Sequence, residues 1–581
     1  MEEAAAATTS DGTTDHGGKP AVRSKSGTWR ACPFILGNEC CERLAYYGMS
    51  ANLVNYMVDR LRQGNAAAAA SVNNWSGTCY VMPLVGAFLA DAYLGRYRTI
   101  AAFMALYIIG LAFLTMTASV PGIKPPYCTS ASSSSCGPSP GQSAAFFVAL
   151  YLIALGTGGI KPCVSSFGAD QFDDADPREH RSKASFFNWF YMSINVGALV
   201  ASSVLVWVQM NVGWGWGFGI PAVAMAVAVA SFLMGSSLYR HQKPGGSPLT
   251  RMLQVVVAAA RNSRVALPAD AALLYEGDKT GGRRRLAHTE QFRWLDRAAV
   301  VTHTLTGNDE STSSSSCRLC PVTQVEELKA VVRLLPVWAS GIVMSAVYGQ
   351  MSTMFVLQGN TLDPRMGGNF KIPSASLSIF DTLAVLAWVP VYDRLIVPAA
   401  RRFTGHPRGF TQLQRMGIGL VISVFSMVAA GVLEVVRLRV AAAHGMLDST
   451  AYLPISIFWQ VPQYFIIGAA EVFAFIGQID FFYDQAPDDM RSMCTALSLT
   501  SSALGNYLST LLVVIVTAAS TRGGGLGWIP DNLNRGHLDY FFWLLAALSA
   551  VNFVVYLWIA NWYRCKTITT TETETQAAAQ T

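Results

Sequence analysis

The chain has 581 residues, of which 52% are hydrophobic and only 13% are charged. The charged share is about half that of an ordinary soluble domain, so the composition excludes a protein whose whole surface faces water. The formal net charge of +6 is carried by arginines in a few loops, which argues for membrane topology and against a nucleic-acid partner.

Apolar residues come in twelve blocks of the length that crosses a ~30 Å hydrocarbon layer, about 20 residues of helix. Lipid offers the backbone no hydrogen-bond partners, so each block should be helical. In chain order the blocks cover approximately residues 33–58, 71–91, 99–119, 143–166, 187–208, 217–238, 330–356, 374–398, 412–436, 452–480, 493–518 and 538–562. The sequence therefore predicts an all-α polytopic membrane protein, embedded in a lipid bilayer, with two six-helix halves.

Five segments follow from this pattern. They are a disordered N-terminal tail (1–30), a first six-helix bundle (31–239), a polar linker (240–329), a second six-helix bundle (330–563) and a C-terminal tail (564–581). The tails are low-complexity sequence. Within the linker, residues 249–265 have the pattern of an amphipathic helix that lies on a membrane.

Positive charges concentrate at one end of the predicted helices. The arginines at this end are Arg96, Arg98, Arg401, Arg402, Arg408 and the linker run Arg283 to Arg285. Because short positively charged loops stay in the cytosol, this end is predicted to be cytosolic. Twelve crossings then place both termini in the cytosol as well.

An internal repeat supports the division into two halves. Asp170-Gln171 ends block four and Asp484-Gln485 ends block ten, which occupies the equivalent position in the second half. Asp91 and Asp393 similarly end blocks two and eight. Such agreement is expected of transporters built from structural repeats.

The eleven cysteines indicate no metal centre. Cys128 and Cys136 fall in a predicted extracellular loop and could form a disulfide. Cys317 and Cys320 form a lone CxxC pair without a second pair of ligands, so no zinc site is predicted. The sequence predicts no metal and no bound cofactor.

Block one carries ionisable residues where a charge is costly. Glu39, Glu42 and Arg43 are three and four residues apart, which places them on one helical face. Tyr46 and Tyr47 continue that face. A charge at the bilayer centre costs about 2.5 to 3.5 kcal/mol, so it marks either a functional pathway or a buried pair.

Three other blocks contribute one ionisable residue each: Lys161 in block four, Asp381 in block eight and Glu471 in block ten. Desolvation and nearby cations act on a glutamate pKa in opposite directions, so making or breaking one ion pair can switch its protonation. The set is consistent with a proton switch. The alternative is a fixed ion-pair network that holds helices together, and the tyrosines could be simple packing.

Longer strings make a family resemblance specific. Glu39-Cys-Cys-Glu42-Arg43 followed by Tyr46-Tyr47 resembles the ExxER signature of the proton-coupled oligopeptide transporters. The chain is most similar to the plant nitrate/peptide transporter family, in its di- and tripeptide branch. The strings that carry this likeness are GAFLAD (86–91), GTGGIKPCVSSFGADQFD (156–173), FNWFYMSINVG (187–197), FVLQGNTLD (355–363), FKIPSASLSIFDTL (370–383) and EVFAFIGQIDFFYDQAPDDMRS (471–492).

The resemblance implies the major facilitator fold and symport of small peptides with protons by alternating access. By position, Glu39, Glu42 and Arg43 would carry protons, and Lys161 would pair with them or with the peptide carboxylate. The residues implied to line the substrate pocket are Tyr46, Tyr47, Tyr80, Asn195 and Asp381, with Glu471 holding the peptide amine.

Three positions depart from the patterns of related carriers. Ser50 replaces a second arginine of the bacterial peptide carriers, which leaves the carboxylate clamp to Arg43 and Lys161. Gly349 replaces a glutamate in block seven, so extracellular gating by that residue is not available. Tyr348 stands where the family's nitrate-binding histidine lies, which disfavours nitrate.

Several alternatives remain beside peptide symport. A plant hormone, a glycoside or nitrate could be the substrate of the same fold, and a membrane sensor could use the fold without transport. No enzymatic site is visible, so an enzyme is not predicted. The plasma membrane is favoured over the vacuolar membrane, because the N-terminal tail lacks an acidic dileucine motif.

Overall fold

A computed structural model describes residues 8–9, 12–126, 137–173, 176–242, 248–268, 270, 273–276, 286, 288–301, 319–367, 370–405, 409–487, 491–522 and 524–565. Cys128 and Cys136, Cys317, Arg408 and the arginine run at 283–285 lie outside the described residues. The predicted disulfide therefore stays a prediction.

Eleven helices in the described part of the chain are long and apolar enough to span a membrane. Labelled α2 to α12, they are Asn65–Leu94, Arg96–Ser119, Pro140–Ala169, Ser185–Asn211, Trp214–Leu238, Val322–Gly359, Ser374–Thr404, Gln412–Ala443, Ile457–Gln485, Met493–Ser520 and Leu538–Trp562. A helix of 23 residues, Thr28–Ser50, precedes them as α1 and carries the charged residues of block one. The predicted all-α membrane architecture is confirmed.

Short elements occupy the connections. The helices Leu53–Asp59 and Pro248–Arg261 follow α1 and α6, and a helical turn, Arg293–Ala299, lies in the linker. Two short parallel strands, β1 (Leu362–Asp363) and β2 (Leu453–Ser456), pair after α7 and before α10.

Local sequence explains where two helices begin. Ser139 accepts a hydrogen bond from the Gln142 backbone at 3.2 Å, and its own N–H donates to the Gln142 side chain at 2.9 Å. Thr411 and Gln414 make the same reciprocal pair before α9. Each capping box satisfies backbone donors that the first helical turn leaves free.

The two halves show the same local irregularity at the repeat positions. A π-helical turn covers Ala90–Leu94 at the end of α2 and another covers Tyr392–Ile396 within α8. The first turn contains Asp91 and the second contains Asp393, the two aspartates of the internal repeat. In the first half Arg96 lies 4.0 Å from Asp91 and 2.5 Å from Asp170, so one guanidinium joins the ends of α2 and α4.

The bundles have two ends. The linker and the arginine-rich loops lie at one, here called the linker end, and the opposite end is called the far end. The two halves meet along α2 and α11 toward the far end, where Asn73 donates to Ser509 at 2.9 Å and Thr78 lies 3.1 Å from the Tyr507 hydroxyl.

The second bundle begins earlier than the sequence predicts. Helix α7 starts at Val322 rather than near residue 330, and its first turns carry Glu326, Glu327, Lys329 and Arg333, which are all buried. The predicted amphipathic helix is present as Pro248–Arg261. Its apolar residues pack against the turn Arg293–Ala299 and the first turns of α7, so the linker is attached to the second half.

The N-terminal segment contacts the first bundle. The sequence predicts a disordered tail, whereas the structure places described residues of this segment against the linker end. Thr14 and His241 exchange backbone hydrogen bonds of 2.9 and 2.8 Å, and Arg23 binds Asp173 at 2.7 Å. The buried Arg240 donates to Glu179 and to the Ser26 carbonyl.

Candidate functional site

A central cavity lies between the two halves. One compartment, of about 140 Å³, is lined by both halves, and a second, of about 160 Å³, continues from it toward the linker end. The lining residues common to both are Tyr47, Tyr80, Tyr348, Glu471 and Asn506. A concave site between helix bundles, with a few polar groups, is where a small ligand is expected.

Helix α1 brings its charged residues together as the spacing predicts. Arg43 Nε lies 2.8 Å from Glu39 Oε1 and 3.3 Å from Glu42 Oε2. Both carboxylates are buried, with exposed fractions of 1% and 0%. One cation therefore serves two buried carboxylates, and both Glu42 oxygens lack a hydrogen bond among the described residues.

Lys161 does not form an ion pair with these carboxylates. Its ammonium lies 3.6 Å from the Tyr46 ring centroid and 4.3 Å from the Tyr80 ring centroid. An ammonium above aromatic faces is attracted by the ring quadrupole, most strongly where water is excluded. The Lys161 nitrogen has no hydrogen-bond partner among the described residues.

Glycines set the position of Lys161. A Cβ at Gly86 on α2 would lie 2.1 Å from the Gly158 carbonyl oxygen, and a Cβ at Gly158 would lie 2.6 Å from Met82 Cβ. The glycine-rich part of α4 lets α2 and α4 touch backbone to backbone. This contact brings Lys161 over Tyr80 of α2.

The second half contributes the opposite charge. Asp381 of α8 and Glu471 of α10 both line the cavity. The Asp381 carboxylate approaches α10 at Gly468, one turn before Glu471, where a Cβ would lie 3.1 Å from its Oδ1. Tyr348 and Glu471 both line the two compartments of the cavity. Among the described residues no lysine or arginine forms an ion pair with Asp381 or Glu471.

The structure therefore brings together the residues singled out from sequence. Tyr46, Tyr47, Tyr80 and Asn195 line the cavity from the first half. Sequence reasoning missed Tyr191, which lies one turn before Asn195 and accepts its hydrogen bond through the backbone carbonyl at 2.8 Å. It also missed Asn506, a polar residue inside apolar α11, and that position within a membrane helix was the available signal.

The cavity extends toward the linker end through its second compartment, which is lined there by Gln478, Ile479 and Ser498. Ser50 and Ser76, which line the first compartment, are buried. The linker end is the end that the sequence predicts to be cytosolic.

A separate cluster of His288, Asp296 and Glu326 lies in the linker and at the start of α7. Lys329 Nζ stands between the two carboxylates, 2.7 Å from Asp296 and 2.8 Å from Glu326. The Lys329 ammonium already neutralises the carboxylates that would bind a cation. The cluster is an ion-pair network that ties the linker to α7.

Comparison with known proteins identifies the family. The family model PTR2, the POT family, matches residues 97–529. The chain belongs to the POT family. It is 64% identical to protein NRT1/PTR family 8.2 of Arabidopsis thaliana over 565 residues, covering 97% of this chain and 98% of that protein. It is 63% identical to protein NRT1/PTR family 8.1 of the same plant over 562 residues, covering 96% and 98%.

Solved structures share the fold of this POT chain. The crystal structure of an auto-inhibited POT family peptide transporter is 25% identical, with a TM-score of 0.66 and coverage of 92% of this chain and 97% of that one. The POT family transporter PepTSo, 23% identical, gives a TM-score of 0.66 with coverage of 92% and 98%. The predicted family and the major facilitator fold are confirmed. The chain is a multi-pass membrane transporter and, as predicted, not an enzyme.

Proposed function

We propose that the chain is a proton-coupled symporter of di- and tripeptides that works by alternating access. The observation that carries this proposal is the separation of charge across one cavity. Lys161 of the first half lies over the rings of Tyr46 and Tyr80, which line the cavity, while Asp381 and Glu471 line it from the second half. A short peptide is a zwitterion and carries one charge for each side.

The two carboxylates also argue against an anionic substrate. Nitrate would approach Asp381 and Glu471 with unfavourable charge. Asp381 is buried and Glu471 is half-buried at the cavity wall, where screening by water is weak. An α-ammonium group would satisfy them. The tyrosine rings around the cavity supply apolar surface for peptide side chains of different shapes.

Proton coupling is proposed for Glu39, Glu42 and Arg43. Arg43 holds both carboxylates in this structure, and a carboxylate that loses this partner in a desolvated site gains affinity for a proton. Lys161, which lies over the rings of Tyr46 and Tyr80, would respond to a bound peptide carboxylate. We propose protons as the coupling ion and uptake across the plasma membrane from an acidic exterior.

The test is electrophysiology of the full chain in oocytes at mildly acidic external pH. A dipeptide, nitrate and a plant hormone are supplied separately. We expect inward current with the dipeptide, a smaller current at neutral pH and none with nitrate. Asp448→Asn, which removes an exposed far-end carboxylate, is the matched control for cavity variants. Current with nitrate or hormone but not with dipeptide would assign another substrate to this site.

A further inference from the structure

Besides the contacts between α2 and α11, two further groups of polar contacts join the halves at the far end. Asn360, just after α7, donates to the Asn55 side chain at 2.8 Å. Asn65, the first residue of α2, makes three hydrogen bonds to the second half. Its backbone N–H donates to Asp531 Oδ1 at 3.2 Å, and its side-chain amide donates to the Pro530 and Asp531 carbonyls. The Asn55–Asn360 and Asn65–Asp531 contacts are called the latch.

One buried ion pair holds the second-half side of the latch. Glu434 and Arg437 of α9 are both fully buried, and Arg437 donates to both Glu434 oxygens, at 2.9 and 2.6 Å. Arg437 also donates to Thr361, the neighbour of Asn360, at 3.3 Å. Its remaining bonds, to the Leu533 carbonyl at 2.9 Å and to Asn534 at 2.5 Å, fix the loop that carries Asp531.

A hydrogen-bond chain holds the first-half side. Asn55 donates to Asn52 at 2.8 Å, Asn52 donates to Gln209 at 2.9 Å, and Gln209 donates to the Gly48 carbonyl at 2.9 Å. Gly48 follows Tyr47, which lines the cavity. This series of hydrogen bonds therefore connects the latch to the backbone of α1 beside the cavity.

We propose that the latch keeps the cavity closed to the extracellular side, and that Arg437 is the residue that positions both of its second-half members. Opening the far end separates Asn55 from Asn360 and Asn65 from Asp531. Closure is assigned to the side-chain amides of Asn55, Asn360 and Asn65, which make the contacts between the halves at this end. Loss of one neutral hydrogen bond shifts such an equilibrium about two- to tenfold.

Accessibility of a cysteine tests the latch without any substrate. Ser352 lines the cavity on the far-end side of α7, and Ser352→Cys gives a reporter for a membrane-impermeant thiol reagent applied outside intact cells. Asn55→Ala and Asn360→Ala should each raise the labelling rate about two- to tenfold above the reporter alone. The chain without the reporter gives the background from native cysteines.

The matched control is Asn211→Ala. Asn211 lies at the same end, and its amide donates within its own helix, to the Trp207 carbonyl at 3.0 Å, with no bond to the other half among the described residues. Its labelling rate should equal that of the reporter chain. Equal rates in the latch variants, the control and the reporter chain would overturn the proposal.

A double-mutant cycle tests the positioning role of Arg437. Thr361→Val removes one Arg437 contact while keeping the size of the side chain, and it should raise the labelling rate in a chain with Asn360 intact. If Arg437 and Thr361 act through Asn360, Thr361→Val should add nothing in the Asn360→Ala background. Full additivity would instead indicate a general structural role and would contradict the positioning assignment.

Arg437→Lys gives an independent measurement of the positioning role. A lysine keeps the charge but cannot contact Thr361 and the 533–534 loop at once. We expect faster labelling with unchanged surface expression. The inference rests on the alternating access of the proposed function, but labelling needs no substrate. A wrong substrate assignment would therefore leave these results intact, whereas an unchanged rate would reject the latch alone.

Discussion

Lys161 lies over the ring of Tyr46, with its ammonium 3.6 Å from the ring centroid, while Arg43 binds Glu39 and Glu42. These two cations of the first half therefore have separate tasks. Arg43 neutralises the carboxylates, and Lys161 lies over the Tyr46 and Tyr80 rings, which line the cavity. A peptide carboxylate would offer Lys161 the hydrogen bonds that its nitrogen lacks among the described residues.

Glu39→Gln and Glu42→Gln should separate coupling from movement. Each removes a titratable carboxylate beside Arg43 and keeps the shape, so uphill uptake driven by pH should be lost. Exchange of labelled for unlabelled dipeptide should persist, because exchange requires binding and helix motion without net proton release. Counterflow in proteoliposomes measures the second property. Glu290→Gln, which changes an exposed linker residue, is the control, and wild-type pH dependence in both α1 variants would reject the proton switch.

Lys161→Ala should slow transport more than it weakens binding. It removes the cation that lies over Tyr46 and Tyr80, so a bound peptide carboxylate loses its partner at the step where the halves close around it. Lys161→Arg should recover part of the rate, because a guanidinium also stacks on tyrosine. Lys124→Ala, in an exposed loop, is the control. Unchanged uptake kinetics in Lys161→Ala would make Lys161 a packing residue.

Gly86→Ala should destabilise the first bundle. The new methyl group would lie 2.1 Å from the Gly158 carbonyl, a backbone atom that cannot move aside without separating α2 from α4. Overpacking of this kind costs about 1 to 3 kcal/mol. Thermal unfolding in detergent measures the loss. At Gly37 of α1 a Cβ meets nothing within 4 Å, so Gly37→Ala should be neutral, and equal unfolding temperatures for the two variants would contradict the close-packing explanation.

The fold was largely predictable because the membrane imposes a helix length and a composition. The start of α7 was not predictable, because Glu326 and Lys329 are charged residues typical of a linker. The folded linker packs against them and buries them. The carboxylates and Arg43 followed from spacing along a single helix. The position of Lys161 could not be predicted from spacing along one helix. It depends on the contact between Gly86 and Gly158, which lie 72 positions apart in sequence and carry no charge.

The docked N-terminal segment should loosen on acidification. Burial lowers the pKa of His241, with His16 and Arg98 acting in the same direction and Asp15 opposing them. Docking therefore favours the neutral imidazole, and the undocked state binds the extra proton as pH falls below about 6.5. Hydrogen exchange of the docked residues should be faster at pH 5.5 than at pH 7.5. His241→Asn should remove most of this difference, and an unchanged pH dependence in that variant would assign it to another group.

Glu471 decides between a peptide and an anion as substrate. It lies deep in α10, with Asp381 as a second carboxylate nearby and no cationic partner among the described residues. Its charge is best met by a substrate ammonium group. Glu471→Gln keeps the shape and removes the charge, and a buried charge-assisted hydrogen bond is worth ~1.5 to 3 kcal/mol, so the apparent KM for dipeptides should rise about ten- to a hundredfold. Asp381→Asn should show a smaller rise in KM, since Glu471 remains.

N-acetylated dipeptides lack the ammonium group and should bind the wild type poorly, whereas the Glu471→Gln variant should discriminate less against them. Competition assays with free and N-acetylated forms of one dipeptide measure this ratio, and equal wild-type affinity for the two forms would remove Glu471 from peptide recognition.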